Sequence, residues 1–241
     1  MSKLAIFPVG GASKRMEADI PKWMLPVPNA TSHRLTILQL TVSPYVAAGW
    51  EILFLTRHKD VHAARLIKEM YDAKVIMDPI NKIGRGGALK NAWESIQGHD
   101  LVVVHNPDDV VLNNITPTID WRAIYNGKTI ARVVDSIPHP YTTFDMNRHG
   151  EVKRVMRKSR VWQPAHIGIT ILCNYAVEYI LQLPDAPCDF EAQVFPKMRR
   201  QRQLFTHHLS AGEDWYACND KKTYELLCST LESELDEDEE S

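Results

Sequence analysis

The chain has 241 residues, 44% of them hydrophobic and 24% charged, enough for one large α/β domain with a sizeable core. A formal net charge of -2 excludes a global basic field, so neither nucleic acid nor an anionic membrane surface is an expected partner. Four cysteines (Cys173, Cys188, Cys218 and Cys228), none spaced as CxxC, make neither a disulfide framework nor a structural zinc site.

Along the chain, β-type runs alternate with helical patterns. Leu4–Val9 reads as a buried strand, as do Glu51–Thr56, Lys74–Met77 and Leu101–His105. Helices are expected over Arg34–Gly49, His58–Tyr71 and Gly86–Gln97, with Pro44 kinking or splitting the first. Near-continuous apolar strands between helices predict a mostly parallel sheet covered on both faces. After about residue 127 the strands become shorter and more polar: Lys128–Asp135, Thr142–Met146 and Glu151–Met156, the last two joined through a turn at Asn147–Gly150. Ala165–Leu172 is a further apolar strand, followed by helices at Asn174–Leu183, Phe190–Arg200 and Asp220–Leu231. The expected organisation is one domain over 1–231 and an acidic, disordered tail over 232–241. The start MSKLAIFPVGG lacks a signal-peptide pattern, and no stretch approaches the ~20 apolar residues of a membrane span. The expected location is therefore the cytoplasm.

Two segments near the start point to phosphate chemistry. The first strand runs into Gly10, Gly11, Ala12, Ser13, Lys14 and Arg15. Small residues let backbone approach phosphate oxygens, consecutive N–H groups form an anion nest, and a guanidinium can hold phosphate in bidentate fashion. A tight turn accounts for Gly-Gly equally well, and the GK[ST] ending of a Walker A loop is absent. Next comes Ile20-Pro21-Lys22-Trp23-Met24-Leu25-Pro26-Val27, in which prolines restrict the chain around a lysine. Asp108 and Asp109 follow the strand LVVVH, where α/β sheets place ligand sites. A strand-end carboxylate is a hard ligand suited to Mg²⁺, and aspartate there also serves as a helix N-cap.

Taken together, PVGGASKRMEADIPKWMLPV resembles the front signature of the sugar-nucleotide pyrophosphorylases, most of all the bacterial UTP–glucose-1-phosphate uridylyltransferases, whose pattern reads roughly PVAGxGTRM…IPKxMLPV. The resemblance implies a three-layer α/β/α fold with a mixed, mostly parallel sheet. The activity it implies is joining an NTP (UTP favoured) and a sugar 1-phosphate to give a nucleotide sugar and pyrophosphate. It assigns Arg15 and Lys22 to catalysis, and Gly10, Gly11, Ala12, Ser13, Lys14, Gly86 and Gly87 to the nucleotide. The stretch Gly84–Ala88 resembles the family's GxGxA loop under the base. Lys158, Gly168 and Glu191 would meet the sugar phosphate, and Asp108, with Asp109 beside it, would hold Mg²⁺. Self-association is left open.

The sequence departs from the family pattern at several positions. Ser13 and Lys14 replace Gly-Thr, Arg157 replaces the acidic residue of an EKP motif, and Pro79 stands where a glutamine reads uracil. In Tyr216–Tyr224, which resembles YDCGDKxGY, Ala217 replaces the second metal-binding aspartate. Either Mg²⁺ is held by one carboxylate with phosphates and waters, or Asp214 or Asp220 substitutes, or catalysis is impaired. Two rivals follow: a GT-A type glycosyltransferase, which has no need of Arg15 and Lys22, and a catalytically weak or non-catalytic sugar-nucleotide-binding regulator, favoured by Ala217. Other features are assigned to structure. His58 and His62 share a solvated helix face. His207 and His208 alternate across a strand. The basic run Lys197–Arg202 ends a helix, and Trp23, Trp50, Trp93 and Trp215 pack at the core or its rim.

Overall fold

The computed structural model describes residues 1–10, 20–28, 35–57, 61–71, 73–79, 83–138, 143–156 and 160–239. In its first half the order is β1 (Lys3–Pro8), β2 (Pro26–Val27), β3 (Leu35–Thr36), α1 (Ile37–Ala47), β4 (Glu51–Thr56), α2 (Val61–Tyr71), β5 (Lys74–Met77), α3 (Gly84–Asn91), α4 (Trp93–Ile96), β6 (Leu101–His105) and β7 (Asp109–Leu112). The second half continues with α5 (Trp121–Tyr125), β8 (Thr129–Val134), β9 (Ile137–Pro138), β10 (Thr143–Met146), β11 (Val152–Met156), β12 (Arg160–Val161), β13 (Ala165–Cys173), α6 (Phe190–Arg200), β14 (Leu204–His208), β15 (Asp214–Ala217) and α7 (Lys221–Glu239).

Seven strands form the central sheet in the order β14-β8-β13-β6-β1-β4-β5. Strand β13 runs antiparallel to both neighbours, and every other pair is parallel. The apolar run of β1 shows why such a strand is central. Successive side chains point to opposite faces. Ala5 and Phe7 therefore join one core with Leu38, Val42 and Tyr45 of α1 and Trp121 of α5. Leu4 and Ile6 join the other, with Leu89 of α3 and Phe190, Val194 and Met198 of α6. Burying each large aliphatic or aromatic side chain contributes about 1.5–3 kcal/mol, which holds a helical layer on each face. This is the expected three-layer α/β/α architecture. A smaller cluster of Val27, Ile37, Val110, Leu112, Cys218 and Leu227 joins β2, β7 and α7 beside the sheet.

The four early strands stand where the apolar runs place them, and β10 and β11 pair antiparallel. In their turn, Asn147 Oδ1 accepts from the backbone N–H groups of His149 (2.9 Å) and Glu151 (3.0 Å). Several elements differ from expectation. Pro44 does not divide α1, which begins only at Ile37 behind a capping box between Thr36 and Gln39. The helix expected over Gly86–Gln97 is interrupted at Ala92, giving α3 and α4. Asn174–Ile180 is 3-10 rather than α-helical. Helix α7 continues to Glu239 instead of ending near Leu231.

The largest difference concerns β8, read as polar but buried along nearly its whole length. Its Arg132 is fully buried, donates to Glu213 at 2.5 Å and lies over the Trp121 ring, 5.6 Å from its centroid. Glu213 in turn accepts from the N–H groups of Ser210 (2.8 Å) and Ile115 (3.2 Å). A charge in the sequence thus becomes a core group because a partner distant in the chain neutralises it. Among the described residues, no helix is long and apolar enough to cross a membrane.

Candidate active site

Strand β6 ends at His105, and the chain then reverses. The Asp109 N–H donates to the Asn106 carbonyl at 3.0 Å, closing a turn with Pro107 inside it. This turn lies at the C-terminal end of a central parallel strand, beside the ends of β1 and β4. It also sends adjacent aspartates in different directions. Asp108 points outward and forms an ion pair with Lys22. Asp109 points inward and is buried.

Lys22 is placed by a 3-10 turn, Lys22–Met24. The turn is closed by the Met24 N–H donating to the Pro21 carbonyl at 2.8 Å. Buried Trp23 pins it to the end of β1 by donating its indole N–H to the Val9 carbonyl at 2.9 Å. The Lys22 ammonium then reaches both Asp108 and the side-chain oxygen of Asn219, at 3.1 Å from the latter. Three segments far apart in sequence meet on this one cation.

Behind this contact runs an inward network. Asp109 Oδ2 accepts from the Asn106 amide at 3.0 Å and Oδ1 from the Trp215 indole at 3.1 Å. Burial, then the neighbouring Asp108 charge, pushes the Asp109 carboxyl up to about 7. Asn106 Oδ1 accepts from Arg85 at 2.6 Å, which fixes the orientation of its amide. Arg85 also pairs with Glu191, and with Asp189 at 3.4 Å. Burial raises the Glu191 carboxyl while the Arg85 charge opposes that rise. Beneath the turn, His105 bonds the Asp109 carbonyl (2.8 Å) through Nε2 and the Tyr45 hydroxyl (3.1 Å) through Nδ1. A carbonyl only accepts, so Nε2 carries the proton and Nδ1 accepts from Tyr45. Burial holds this imidazole neutral, its pKa lowered to about 4.

The structure brings together Lys22, Asp108, Asp109, Gly168 and Glu191, all named from sequence. Gly168 belongs here through its backbone: its carbonyl accepts from the Asn106 N–H at 3.0 Å, and its φ is +73°. Gly10 ends β1's extension, with Arg57 Cγ 3.0 Å from where its Cβ would stand. Gly11, Ala12, Ser13, Lys14, Arg15 and Lys158 lie outside the described residues. Gly86 and Gly87 sit on the first turn of α3, where a side chain at Gly86 would meet Cys188 Sγ (2.6 Å) and one at Gly87 would meet Ile83 (2.8 Å). The Gly86 N–H donates to the Cys188 carbonyl at 3.0 Å, so packing against that segment accounts for the small residue there.

Strand β15 pairs antiparallel with β7 and sets Ala217 opposite Asp109. Asp214 stands at the other end of that ladder, opposite Leu112, and Asp220 accepts from the Thr223 N–H and hydroxyl (2.9 and 2.8 Å) at the start of α7. Neither occupies the position that Ala217 leaves without a carboxylate. Among the described residues no group of three His, Cys, Asp or Glu side chains could hold a metal. Among the described residues, side-chain oxygens of Asp108 and Asn219 both lie against the Lys22 ammonium. Mg²⁺ is commonly held by one or two protein oxygens with substrate phosphates and waters, and this donor set fits that mode. Four residues have no part in the site by sequence alone: Asn219, Asn106, Arg85 and Trp215, the last assigned only to packing. Their signal is only proximity to recognised motifs, because amides, an arginine and an indole have many structural uses.

No family sequence model matches the chain, and no curated protein matches it either. The fold, by contrast, has clear counterparts among solved structures. A UDP-glucose pyrophosphorylase complexed with UDP-glucose superposes with a TM-score of 0.67 at 16% identity, covering 97% of this chain and 100% of that one. A putative glucose-1-phosphate thymidylyltransferase from Bacillus anthracis, in complex with a sucrose, gives 0.65 at 15% identity, with 95% of each chain covered. HddC from Yersinia pseudotuberculosis, complexed with GMP-PN, gives 0.62 at 20% identity over 96% of this chain and 100% of that one. The chain therefore has the fold of the sugar-1-phosphate nucleotidyltransferases.

Proposed function

We propose that the protein is a sugar-1-phosphate nucleotidyltransferase, with UTP as the favoured nucleotide. The observation that carries this reading is the meeting of Lys22 and Asp108 at the C-terminal end of the central strands. A cation and a metal-competent carboxylate side by side suit a reaction that moves a phosphoryl centre between two anionic partners. In that reaction an oxygen of the sugar 1-phosphate attacks the α-phosphorus of the NTP. A P–O bond forms, the bond to the bridging α–β oxygen breaks, and pyrophosphate leaves. No covalent enzyme intermediate and no side-chain proton transfer are needed, so the residues act by positioning and charge.

The roles divide as follows. Lys22 shifts from Asp108 onto the phosphates when they bind. Arg15 is assigned to the triphosphate together with Gly10, Gly11, Ala12, Ser13 and Lys14, the segment that follows β1 in the sequence. Asp108 would hold Mg²⁺, which when bound supplies further charge neutralisation on the phosphates. Asp109, with both oxygens occupied, shapes the turn that presents Asp108 rather than binding metal. Glu191, kept oriented by Arg85, is assigned to the sugar phosphate together with Gly168 and Lys158.

The experiment is direct. The protein is incubated with Mg²⁺, each NTP and a panel of sugar 1-phosphates, and pyrophosphate release is followed. Release with one NTP–sugar pair, abolished in Lys22→Gln, supports the reading. Ala217 favours a second reading, a protein that binds the nucleotide sugar without making it. Tight nucleotide-sugar binding with no pyrophosphate from any pair would establish that alternative. Transfer of the sugar to an acceptor would instead identify a glycosyltransferase.

A further inference from the structure

We infer that Asn219 supplies the second protein oxygen for the divalent cation, in place of the carboxylate that Ala217 does not provide. The inference rests on the reading of this site as one that holds Mg²⁺ with a nucleotide.

The argument begins with the β7–β15 ladder. Residues directly opposite in an antiparallel pair share a face, as do residues two apart on one strand. Ala217 is opposite Asp109, and Trp215, two residues earlier, donates to the Asp109 carboxylate. Positions 215 and 217 therefore serve the inward face, where Asp109 is already buried. A methyl group at 217 sits beside that carboxylate without adding a second negative charge to it.

The chain then leaves the strand in a way that returns it to Asp108. The Cys218 N–H donates to the Asp108 carbonyl at 2.8 Å, tying the two segments together by their backbones. The Asn219 N–H donates to the Ala217 carbonyl at 2.6 Å, a turn spanning only three residues. This tight reversal carries the Asn219 side chain to the outward face, and its Oδ1 stands 3.1 Å from the Lys22 ammonium that Asp108 also contacts. Two oxygens, one anionic and one neutral, thus address a single cation. Amide oxygens are hard donors of the type that Mg²⁺ and Mn²⁺ accept. Replacing a carboxylate by an amide lowers the negative charge of the site, so the cation is held more weakly until nucleotide phosphates supply the rest. Lys22 and the metal compete for the same oxygens in the free protein.

Mn²⁺ binding to the intact protein is the test, followed by electron paramagnetic resonance with and without UTP, no sugar phosphate being present. Asn219→Ala should weaken Mn²⁺ binding by roughly tenfold, the scale of losing one supporting group at a metal. Asn219→Asp should strengthen it, and Lys22→Ala should strengthen binding of Mn²⁺ alone by removing the competing cation. Asp214→Asn, on the exposed end of β15, should leave it unchanged. Asn219 is exposed and caps no helix, so its variants test binding rather than folding. Unchanged Mn²⁺ affinity in both Asn219 variants overturns the inference even where UTP binds. Absence of UTP binding to the wild type at any metal concentration overturns the functional reading instead, while the Mn²⁺-only arm still decides the role of Asn219.

Discussion

Gly168 and the carboxylate of Asp109 compete for one small volume. A Cβ at 168 would overlap Asp109 Oδ2 and Asn106 Nδ2, and the φ of +73° is itself unfavourable for any L side chain. The register between β13 and β8 also shifts between His166 and Thr170, so the glycine sits where the strand bends around the turn. Gly168→Ala should therefore destabilise the protein by roughly 2–4 kcal/mol, combining backbone strain with overpacking. Urea denaturation measures it, and a variant as stable as the wild type would show that Asp109 is not clamped in this way.

Lys22 and Asp108 should behave as one unit. Lys22→Ala and Asp108→Asn should each lower the turnover of NTP by about 10²-fold or more, the scale of one lost electrostatic stabiliser. Because each group's environment depends on the other, the double variant should lose much less than the sum of the two. Pyrophosphate release across the double-mutant cycle checks this. Strict additivity would mean that the contact in the free protein has no counterpart in the reaction.

The Arg132–Glu213 pair is wholly enclosed, with both side chains essentially unexposed. Removing one partner leaves an isolated buried charge. Glu213→Gln should cost about 3–5 kcal/mol, whereas Arg132→Met combined with Glu213→Leu should recover much of that loss. Thermal unfolding of the three variants tests this ordering, and an equally unstable double variant would contradict it.

Stability should depend on pH through opposed groups. His105 and His166 are both lowered to about 4 by burial, so between pH 6.5 and 4 the unfolded chain binds more protons at these sites. Their contribution to stability is lost as pH falls through that window. Asp109 and Asp78, raised by burial to about 7 and about 6, act in reverse: the folded state keeps protons that the unfolded state releases, so stability rises as pH falls from 7 towards 4. Asp109→Asn removes one side of this balance and should steepen acid destabilisation by an amount on the order of a few kcal/mol. Denaturation midpoints at pH 7 and pH 5 decide it, and a flatter profile in the variant would reverse the assignment.

The sheet core was legible because β1, β4 and β6 carry runs of apolar residues that suit a strand covered on both faces, whereas β5 at the sheet edge is only partly buried. Lys22 and Asp108 were singled out because each belongs to a dense local pattern, and the fold brings the two side chains together. Strand β8 was misread because Arg132 is polar in isolation and acquires its buried partner from Glu213, far along the chain. Asn219 was passed over because the motif directs attention to position 217. Only the face alternation of β15 and the turn after it show that the next outward side chain is at 219. The packing at Gly86 was not legible either, since nothing in the sequence shows that Cys188 lies against it.

The pairing of β7 with β15 also divides the labour between parts of the chain. Residues before Ser210 carry all seven strands of the central sheet and both Lys22 and Asp108. The indole that orients Asp109, the backbone tie to Asp108 and the amide beside Lys22 all arrive with residues 215–219. Helix α7 then closes the small cluster over β2 and β7, with the Tyr224 hydroxyl donating to the Pro26 carbonyl. The sheet and the site are therefore completed by different parts of the chain: the strands by segments that precede residue 210, the surroundings of Asp108 and Asp109 by residues 215–219. Glu213, which neutralises Arg132 within the sheet, comes from the same stretch, so the core around β8 and the setting of Asp108 and Asp109 depend on one segment of chain.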